Sequence, residues 1–259
     1  MAAPSTGSGR AGRVPKRGIL DRLRSDTLVF FDLQVGTLAL RVGAVDNVRD
    51  QARIIALKHW EQLEAYIAGH SSFKTSFVPQ PVGPGAPPVV RAMGDAADAA
   101  GVGPMLTLPG AMAEAVARDL SQQAREVIVS TEGDTFAMHR GRAQTFVVEP
   151  AMGAGRPGLG VRIEAGGPFA FYASTGRTRI NPGIGHARVV AVLAEHGAVA
   201  DAAASAIGMA MLHPKHVDRA LAATLRLEPY GLRGVVILAE SRIGVWGDME
   251  IVAPPGRSG

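Results

Sequence analysis

The sequence contains no cysteine and no run of 18 or more apolar residues. Without cysteine there is no disulfide, no thiol nucleophile and no cysteine-ligated metal site, whatever the redox compartment. The missing apolar run argues against a transmembrane helix, and residues 1–18 lack the apolar centre of a secretory signal. We therefore expect a cytoplasmic protein with no membrane partner.

Aromatic residues are scarce, at 5% of the chain, and the excess of positive charge is concentrated at one end. Six basic residues and one acidic residue lie in the first 24 positions, which leaves 21 basic and 22 acidic residues in the rest. A nucleic-acid-binding surface needs a basic face with aromatic or groove-reading elements beside it. No such pattern is visible, so we expect no nucleic-acid partner.

The composition along the chain divides it into one domain and two tails. Residues 1–18 are rich in Gly, Ser, Pro and Arg, and with residues 253–259 they predict disordered tails, the first of them basic. Residues 19–252 form a single predicted domain. Proline crowds residues 78–88, which predicts an exposed loop.

Hydrophobic spacing predicts both helices and strands in that domain. A hairpin is indicated at 27–43, and small-residue helices flank an interruption at 101–104. Later helices are predicted at about 200–212 and near 215–225. A helix that ends near Gly69 carries an apolar face that we expect in the core: Ile54, Leu57, Trp60, Leu63 and Ile67. Strands are predicted at 126–130, 145–149, 160–164, 169–173, 188–194, 234–240 and 243–246. Strands in runs with helices in runs indicate an α+β fold of largely antiparallel sheet, and the order suggests two related halves.

Three glycine-containing stretches are candidates for ligand binding. The amides near Gly101 and Gly103, with Pro104 opening the next helix, could approach an anion, or the stretch could be a tight turn between helices. Gly133 and Asp134 follow a strand and indicate either a turn or a ligand site. A loop after the strand at 169–173 contains two hydroxyls, a glycine and two arginines: Ser174, Thr175, Gly176, Arg177 and Arg179. The arginines could bind a phosphate or carboxylate, or they could be solvated.

The stretch VADAAASAIG, residues 199–208, places Asp201 and Ser205 four positions apart among small residues. On a helix these two oxygens lie on one face, one turn apart. Either Asp201 caps the helix and Ser205 is a bystander, or the two bind something. His213 and His216 would need two further ligands to hold zinc, and no GxSxG motif is present, so no catalytic residue is assigned.

In their order along the chain, these stretches resemble the family of ApbE-like proteins, a branch of the superfamily of the flavin transferase ApbE. The most specific segment is AADAAGVGPM, residues 96–105. The resemblance implies an α+β fold of two related lobes, a T-fold-like duplication, with a ligand cleft between them. In the flavin transferases an Asp and, four residues on, a Thr hold Mg²⁺ against the pyrophosphate of FAD. Their counterparts here are Asp201 and Ser205, which implies Mg²⁺ as cofactor, FAD or FMN as ligand, and a phosphorylated small molecule as partner. A homodimer is among the assemblies that we consider.

The chain departs from the family pattern in two loops. Thr131 and Glu132 precede Gly133 and Asp134 where relatives have Asn-Gly-Gly-Asp, and residues 173–180 replace a Thr-Ser-Ser-Gly loop with a following His. Three hypotheses remain: a Mg²⁺-dependent transferase of flavin or another nucleotide cofactor, a non-catalytic cofactor-binding or assembly protein, and a biosynthetic step for a pterin-type one-carbon carrier such as tetrahydromethanopterin.

Overall fold

A computed structural model of the chain describes residues 28–131, 133–138, 144–148, 159–163, 167–174, 185–240 and 242–252. The tails predicted at 1–18 and 253–259 lie outside the described residues, and so do Thr175, Gly176 and Arg177. Within the described residues no helix combines the length and the apolar character that crossing a membrane requires.

The centre of the fold is an eight-stranded sheet in the order β1-β2-β3-β4-β7-β8-β9-β10, with every neighbouring pair antiparallel. A second, three-stranded sheet has the order β11-β6-β5. The strands are β1 Val29–Val35, β2 Leu38–Ala44, β3 Val127–Thr131, β4 Asp134–Met138, β5 Gln144–Val148, β6 Leu159–Ile163, β7 Phe169–Ser174, β8 Val189–Ala194, β9 Leu232–Ala239, β10 Arg242–Gly247 and β11 Glu250–Val252.

Side chains alternate across the central sheet, so its strands contribute to two cores. Val129 and Phe136 belong to the core shared with the helices, while Ile128 and Ala137, their neighbours in sequence, pack with Phe146 of the small sheet. The helices therefore cover one face of the central sheet and the small sheet covers the other. This arrangement confirms the predicted α+β class.

The helices lie between two hairpins in each half of the chain. β1 and β2 are followed by α1 to α4 and then by β3 and β4; β7 and β8 are followed by α5 and α6 and then by β9 and β10. The halves meet at the β4–β7 pair, which agrees with the prediction of two related lobes. The helices are α1 Arg49–Gly69, α2 Ser71–Thr75, α3 Pro88–Ala100, α4 Leu108–Leu120, α5 Gly197–Ala210 and α6 Val217–Leu225.

The buried face of α1 matches the predicted one only in part, because Leu63 is buried and Trp60 and Ile67 pack partly buried against the core. Ile54 is 67% exposed and Leu57 is 36% exposed, so the prediction that they lie in the core is wrong. The buried stripe of the helix contains two alanines and three larger side chains: Ala52, Ile55, Ala56, His59 and Leu63. The two alanines allow α1 to lie close to α4, and His59 forms a hydrogen bond with Asp119 of that helix.

Candidate functional site

Polar side chains converge beneath α5, where β3 and β7 end and β4 begins. Thr131 pairs with Asp134 in the β3–β4 ladder, and Asp134 pairs with Tyr172 in the β4–β7 ladder. Directly opposed residues of antiparallel strands point to the same face, here the face covered by helices. Each of the three is at most 5% exposed, so the fold buries a polar row under α5.

Asp201 and Ser205 lie on α5, which packs against β4, β7 and β8. The two residues are 2% and 3% exposed. The Oγ of Ser205 is buried and has no hydrogen-bond partner among the described residues. Leaving a buried hydroxyl without a partner costs about 1–3 kcal/mol, so this atom calls for an explanation.

Asp201 does not cap its own helix, because α5 begins four residues earlier, at Gly197. Its Oδ2 accepts a hydrogen bond from the backbone N–H of Gly110, at 2.9 Å, in the first turn of α4. The N-cap alternative is therefore wrong for α5 itself, although the carboxylate satisfies an amide at the start of a different helix.

Tyr172 is a buried phenol that the sequence analysis did not single out. Burial is the largest cause that raises its pKa, and the negative charges of Asp134 and then Asp201 raise it further. A hydrogen bond with the Ser174 side chain acts in the opposite direction. Asp134, Ser174 and Asp201 thus lie around one phenol. The signal available in the sequence was a single hydroxyl in an otherwise apolar strand, two positions before Ser174.

Gly133 joins the β3–β4 turn to the end of β7. Its φ of +135° lies in a region that other residues rarely adopt, and a Cβ there would lie 2.9 Å from the carbonyl oxygen of Ala173. The Ala173 N–H also donates to the Gly133 carbonyl, at 3.0 Å. Glycine is therefore required for the turn, and the ligand contacts predicted for Gly133 and Asp134 stay predictions.

The segment 101–104 links α3 to α4. Gly101 has φ +68°, and its amide and that of Val102 bond back to the last turn of α3, so the segment ends that helix. Gly103 has an extended backbone, and a Cβ there would overlap the carbonyl oxygen of Ser76. Pro104 opens a 3₁₀ turn that packs on α5. A tight turn between helices explains these contacts, and the binding role of Gly101, Gly103 and Pro104 stays a prediction.

The first turns of α4 and α5 cross in direct backbone contact. A Cβ on Gly110 would overlap the carbonyl oxygen of Gly197, and a Cβ on Gly197 would overlap that of Gly110. The hydrogen bonds at the crossing are reciprocal. Gly110 donates to Asp201 of α5, and Gly197 donates to Oε2 of Glu114 of α4, at 2.7 Å.

Glu114 is buried and accepts two further hydrogen bonds on Oε1, from Arg118 Nε at 2.6 Å and from His196 Nδ1 at 3.0 Å. Burial alone would raise the pKa of Glu114, but the bonds from His196, Arg118 and Gly197 together lower it. The hydrogen bond to Glu114 raises the pKa of His196 against the effect of partial burial. Glu114 is therefore a carboxylate held by cations of the chain itself.

A pocket of about 280 Å³ opens beside the start of α4. Two of its walls, Leu108 and Pro109, immediately precede Gly110, so the pocket adjoins the crossing. None of the predicted binding residues lines it. Its lining residues are Thr37, Leu38, Lys74, Thr75, Ser76, Phe77, Met105, Leu106, Leu108 and Pro109.

The described part of the chain contains no group of three or more His, Asp or Glu side chains arranged to hold a metal ion. A Mg²⁺ site of the predicted kind does not need one. This ion usually takes one or two protein oxygens and keeps water and phosphate as its other ligands.

Comparison with known families identifies the relatives of the chain. The model of a family described as AbpE bacteria matches residues 21–230. The chain belongs to this family. The UPF0280 protein of Methanopyrus kandleri is 33% identical over 171 residues, which cover 66% of this chain and 68% of that protein. The UPF0280 protein of Methanocaldococcus jannaschii is 29% identical over 204 residues, 76% of this chain and 81% of that protein.

Two solved structures share the fold of this chain. The flavin transferase ApbE from Vibrio cholerae superposes with a TM-score of 0.56 over 85% of this chain and 97% of its own, at 11% identity. The flavinyl transferase ApbE of Pseudomonas stutzeri gives a TM-score of 0.52 over 87% and 95%, at 14% identity. The two-lobed ApbE-like fold expected from the sequence is thereby confirmed.

Proposed function

We propose that this protein binds a phosphorylated cofactor, with a flavin nucleotide as the first candidate, together with Mg²⁺ held by Asp201 and Ser205. The observation that carries the proposal is the buried pair on α5, one turn apart, with the Ser205 hydroxyl lacking a hydrogen-bond partner among the described residues. A cation or a ligand oxygen at this hydroxyl would remove the cost of burying it unpaired.

The chemistry of the surrounding side chains fits a hard cation. Asp134 and Asp201 both act on the Tyr172 phenol, so two carboxylates share a buried environment. Carboxylate and hydroxyl oxygens are ligands that Mg²⁺ accepts, and anionic surroundings with little water favour a cation strongly. When bound, Mg²⁺ would neutralise part of the charge of a phosphate or pyrophosphate.

The remaining predicted residues would hold the ligand itself. Gly133 keeps the β3–β4 turn free of a side chain beside the end of β7, where Ser174 lies. Thr175, Gly176 and Arg177 follow in sequence and would supply hydroxyl, amide and guanidinium donors to phosphate oxygens. Gly101, Gly103 and Pro104 would border the ligand from the side of α3.

Transfer of part of the bound nucleotide is the first candidate reaction, because solved proteins with this fold are named flavin transferases. Fold likeness at 11 to 14% identity does not determine chemistry, so the reaction is argued by analogy. The second candidate is a non-catalytic cofactor-binding protein. Residues 177–180, Arg-Thr-Arg-Ile, favour it, because they depart from the loop pattern of the transferases.

Calorimetric titration of FAD, FMN and ADP, each with and without Mg²⁺, tests the proposal on wild type, Asp201→Asn and Ser205→Ala. Asn can still accept the Gly110 hydrogen bond, so Asp201→Asn removes charge while keeping the contact between helices. We expect Mg²⁺-dependent binding that weakens at least tenfold in both variants, about 1.4 kcal/mol.

Binding that is independent of metal and unchanged by Asp201→Asn would overturn the Mg²⁺ site. Mass spectrometry of co-purifying small molecules distinguishes the ligand class. A flavin mass would support the first candidate ligand, and a pterin mass would replace it with a one-carbon carrier.

A further inference from the structure

The carboxylate of Glu114 lies outside the proposed Mg²⁺ site, yet it holds the start of the helix that carries Asp201. Glu114 accepts the N–H of Gly197, the first residue of α5, at 2.7 Å. Asp201 lies one turn further along the same helix. Because a helix moves as a stiff unit over one turn, the position of Gly197 determines that of Asp201.

The return contact closes a ring between the two helices. Asp201 accepts the N–H of Gly110, and Gly110 lies one turn before Glu114 on α4. The first amides of a helix have no carbonyl partner within that helix. Each carboxylate therefore accepts a hydrogen bond from an amide that would otherwise be unpaired at the start of the other helix. Loss of either hydrogen bond leaves one buried amide unpaired and removes a contact that fixes the start of one helix against the other.

The crossing leaves little room for another arrangement. Gly110 and Gly197 are in backbone contact, and a side chain on either would overlap the carbonyl oxygen of the other. Glu114 is itself held by Arg118 and His196, whose side chains are 43% and 51% exposed. The contacts therefore run from the protein surface through Glu114 to the buried α5.

We propose that Glu114 is a positioning residue for Asp201, acting through Gly197 and the first turn of α5. The inference rests on the proposed function for its purpose, the placement of a Mg²⁺ ligand. Its structural content, the coupling of Glu114 to the Asp201–Gly110 hydrogen bond across the crossing, stands apart from any ligand.

Hydrogen exchange of backbone amides tests the coupling directly. In Glu114→Gln we expect faster exchange at Gly197, which loses a charged acceptor, and also at Gly110, whose acceptor is Asp201. The expected change at Gly110 is roughly tenfold, the size that follows from weakening one hydrogen bond to a charged group. Amides of the buried strand β8 report global unfolding and serve as the reference within the same sample.

Asp119→Asn is the matched control, because it removes the same charge from the same helix at a residue bonded to Lys58 and His59 instead of α5. It should leave exchange at Gly110 and Gly197 unchanged relative to β8. Faster exchange at Gly197 with wild-type exchange at Gly110 in Glu114→Gln would overturn the positioning role. If Glu114→Gln does not fold, Arg118→Gln removes one donor to the carboxylate and provides the same comparison.

A second measurement separates this inference from the proposed function. Titration of ADP with Mg²⁺ should show affinity reduced about tenfold in Glu114→Gln and preserved in Asp119→Asn. If wild-type protein binds no ADP in the presence of Mg²⁺, the proposal that it binds this nucleotide with Mg²⁺ is wrong. The exchange rate at Gly110 then decides the positioning role of Glu114 by itself.

Discussion

The same short pattern lies near the start of both helices of the α4–α5 crossing: GAMAE at 110–114 and GAVAD at 197–201. In each, a glycine permits backbone contact, and an acid four residues later accepts the amide of the other glycine. The surroundings of the two acids differ. Glu114 is bonded to Arg118 and His196, whereas Asp201 shares its environment with Asp134 and the phenol of Tyr172. The two acids thus form the same kind of hydrogen bond to a backbone amide, one beside cationic side chains and the other beside a second carboxylate. The proposed cation would be bound at the second of these sites.

The backbone contact between Gly110 and Gly197 predicts that substituting either glycine lowers the stability of the protein by a similar amount. Gly110→Ala and Gly197→Ala each place a Cβ against a carbonyl oxygen of the other helix, so each should lower the free energy of unfolding by about 3 kcal/mol. Urea unfolding measures the loss. Gly69→Ala is the control, because a Cβ there meets nothing within 4 Å. A loss below about 1 kcal/mol at either crossing position would contradict the close contact.

Gly103 is also closely packed, but against a loop and not against another glycine, so it offers a comparison with the crossing. Gly103→Val should cost about 2 kcal/mol, because its Cβ would overlap the Ser76 carbonyl, even though the backbone of Gly103 is extended. Thermal and urea unfolding give the loss, with Gly85→Val as a control at an open position. Unchanged stability in Gly103→Val would show that the loop at 76–77 moves aside without cost.

The ion pair between Glu114 and His196 predicts that the stability of the protein depends on pH. The pKa of His196 is raised above its ordinary 6.5, so its stabilising contribution is complete below that pH and is lost as pH rises through the raised pKa. The pKa of Glu114 is lowered from 4.5, so its contribution is present above that pH and is lost as pH falls through the lowered pKa. The pair therefore stabilises fully between about 4.5 and 6.5.

Urea midpoints of wild type and His196→Asn across pH 4 to 9 check this prediction. Their difference should be largest inside that window and should shrink above it, by a small amount because His196 is half exposed. His70→Asn, at an exposed histidine, is the control. A difference that stays constant from pH 5 to 9 would contradict the ion pair.

The smallest expected effect is spectroscopic and belongs to the Asp201 end. Asp201→Asn removes one of the charges that raise the pKa of Tyr172, so the phenol should ionise at lower pH than in wild type, although burial keeps its pKa above the ordinary value. Ultraviolet absorbance of phenolate in metal-free buffer follows the change, with Tyr172→Phe used to assign the signal. Glu114→Gln should move it less than Asp201→Asn does, because it leaves the charge of Asp201 in place. An equal shift in both variants would show that the two ends are not electrostatically distinct.

Most elements could be predicted from hydrophobic spacing and from glycine and proline. Strands β3 and β5 to β10 and helices α1 and α3 to α6 follow apolar periodicity. Strands β4 and β11 and the short helix α2 lie outside the predicted elements, β4 because it directly follows the glycine of a tight turn. The buried face of α1 was predicted only in part. Side-chain size suggested Ile54 and Leu57, while helix packing selected alanine and His59.

The candidate site was predictable only in part. The spacing of Asp201 and Ser205 indicated a shared helix face, and burial agrees with it. The partners of that face could not be found by local spacing. Gly110 lies 91 positions from Asp201, and Tyr172 joins the group only through its register with Asp134. The repeated glycine and acid of the crossing is visible in the sequence, but its meaning needs the contact between the helices.

Strand β8 has a consequence for how the chain is made. All six of its residues, VVAVLA, are buried, and both of its neighbours in the sheet are other strands. A short, uncharged, β-branched segment of this kind associates readily with copies of itself when uncovered. Its partner β9 is synthesised only after α5 and α6, so one edge of β8 stays unpaired in a nascent chain until β9 has been made, and in a refolding chain until β9 has paired with it. Dilute refolding and early pairing with β7 should therefore decide the yield of native protein.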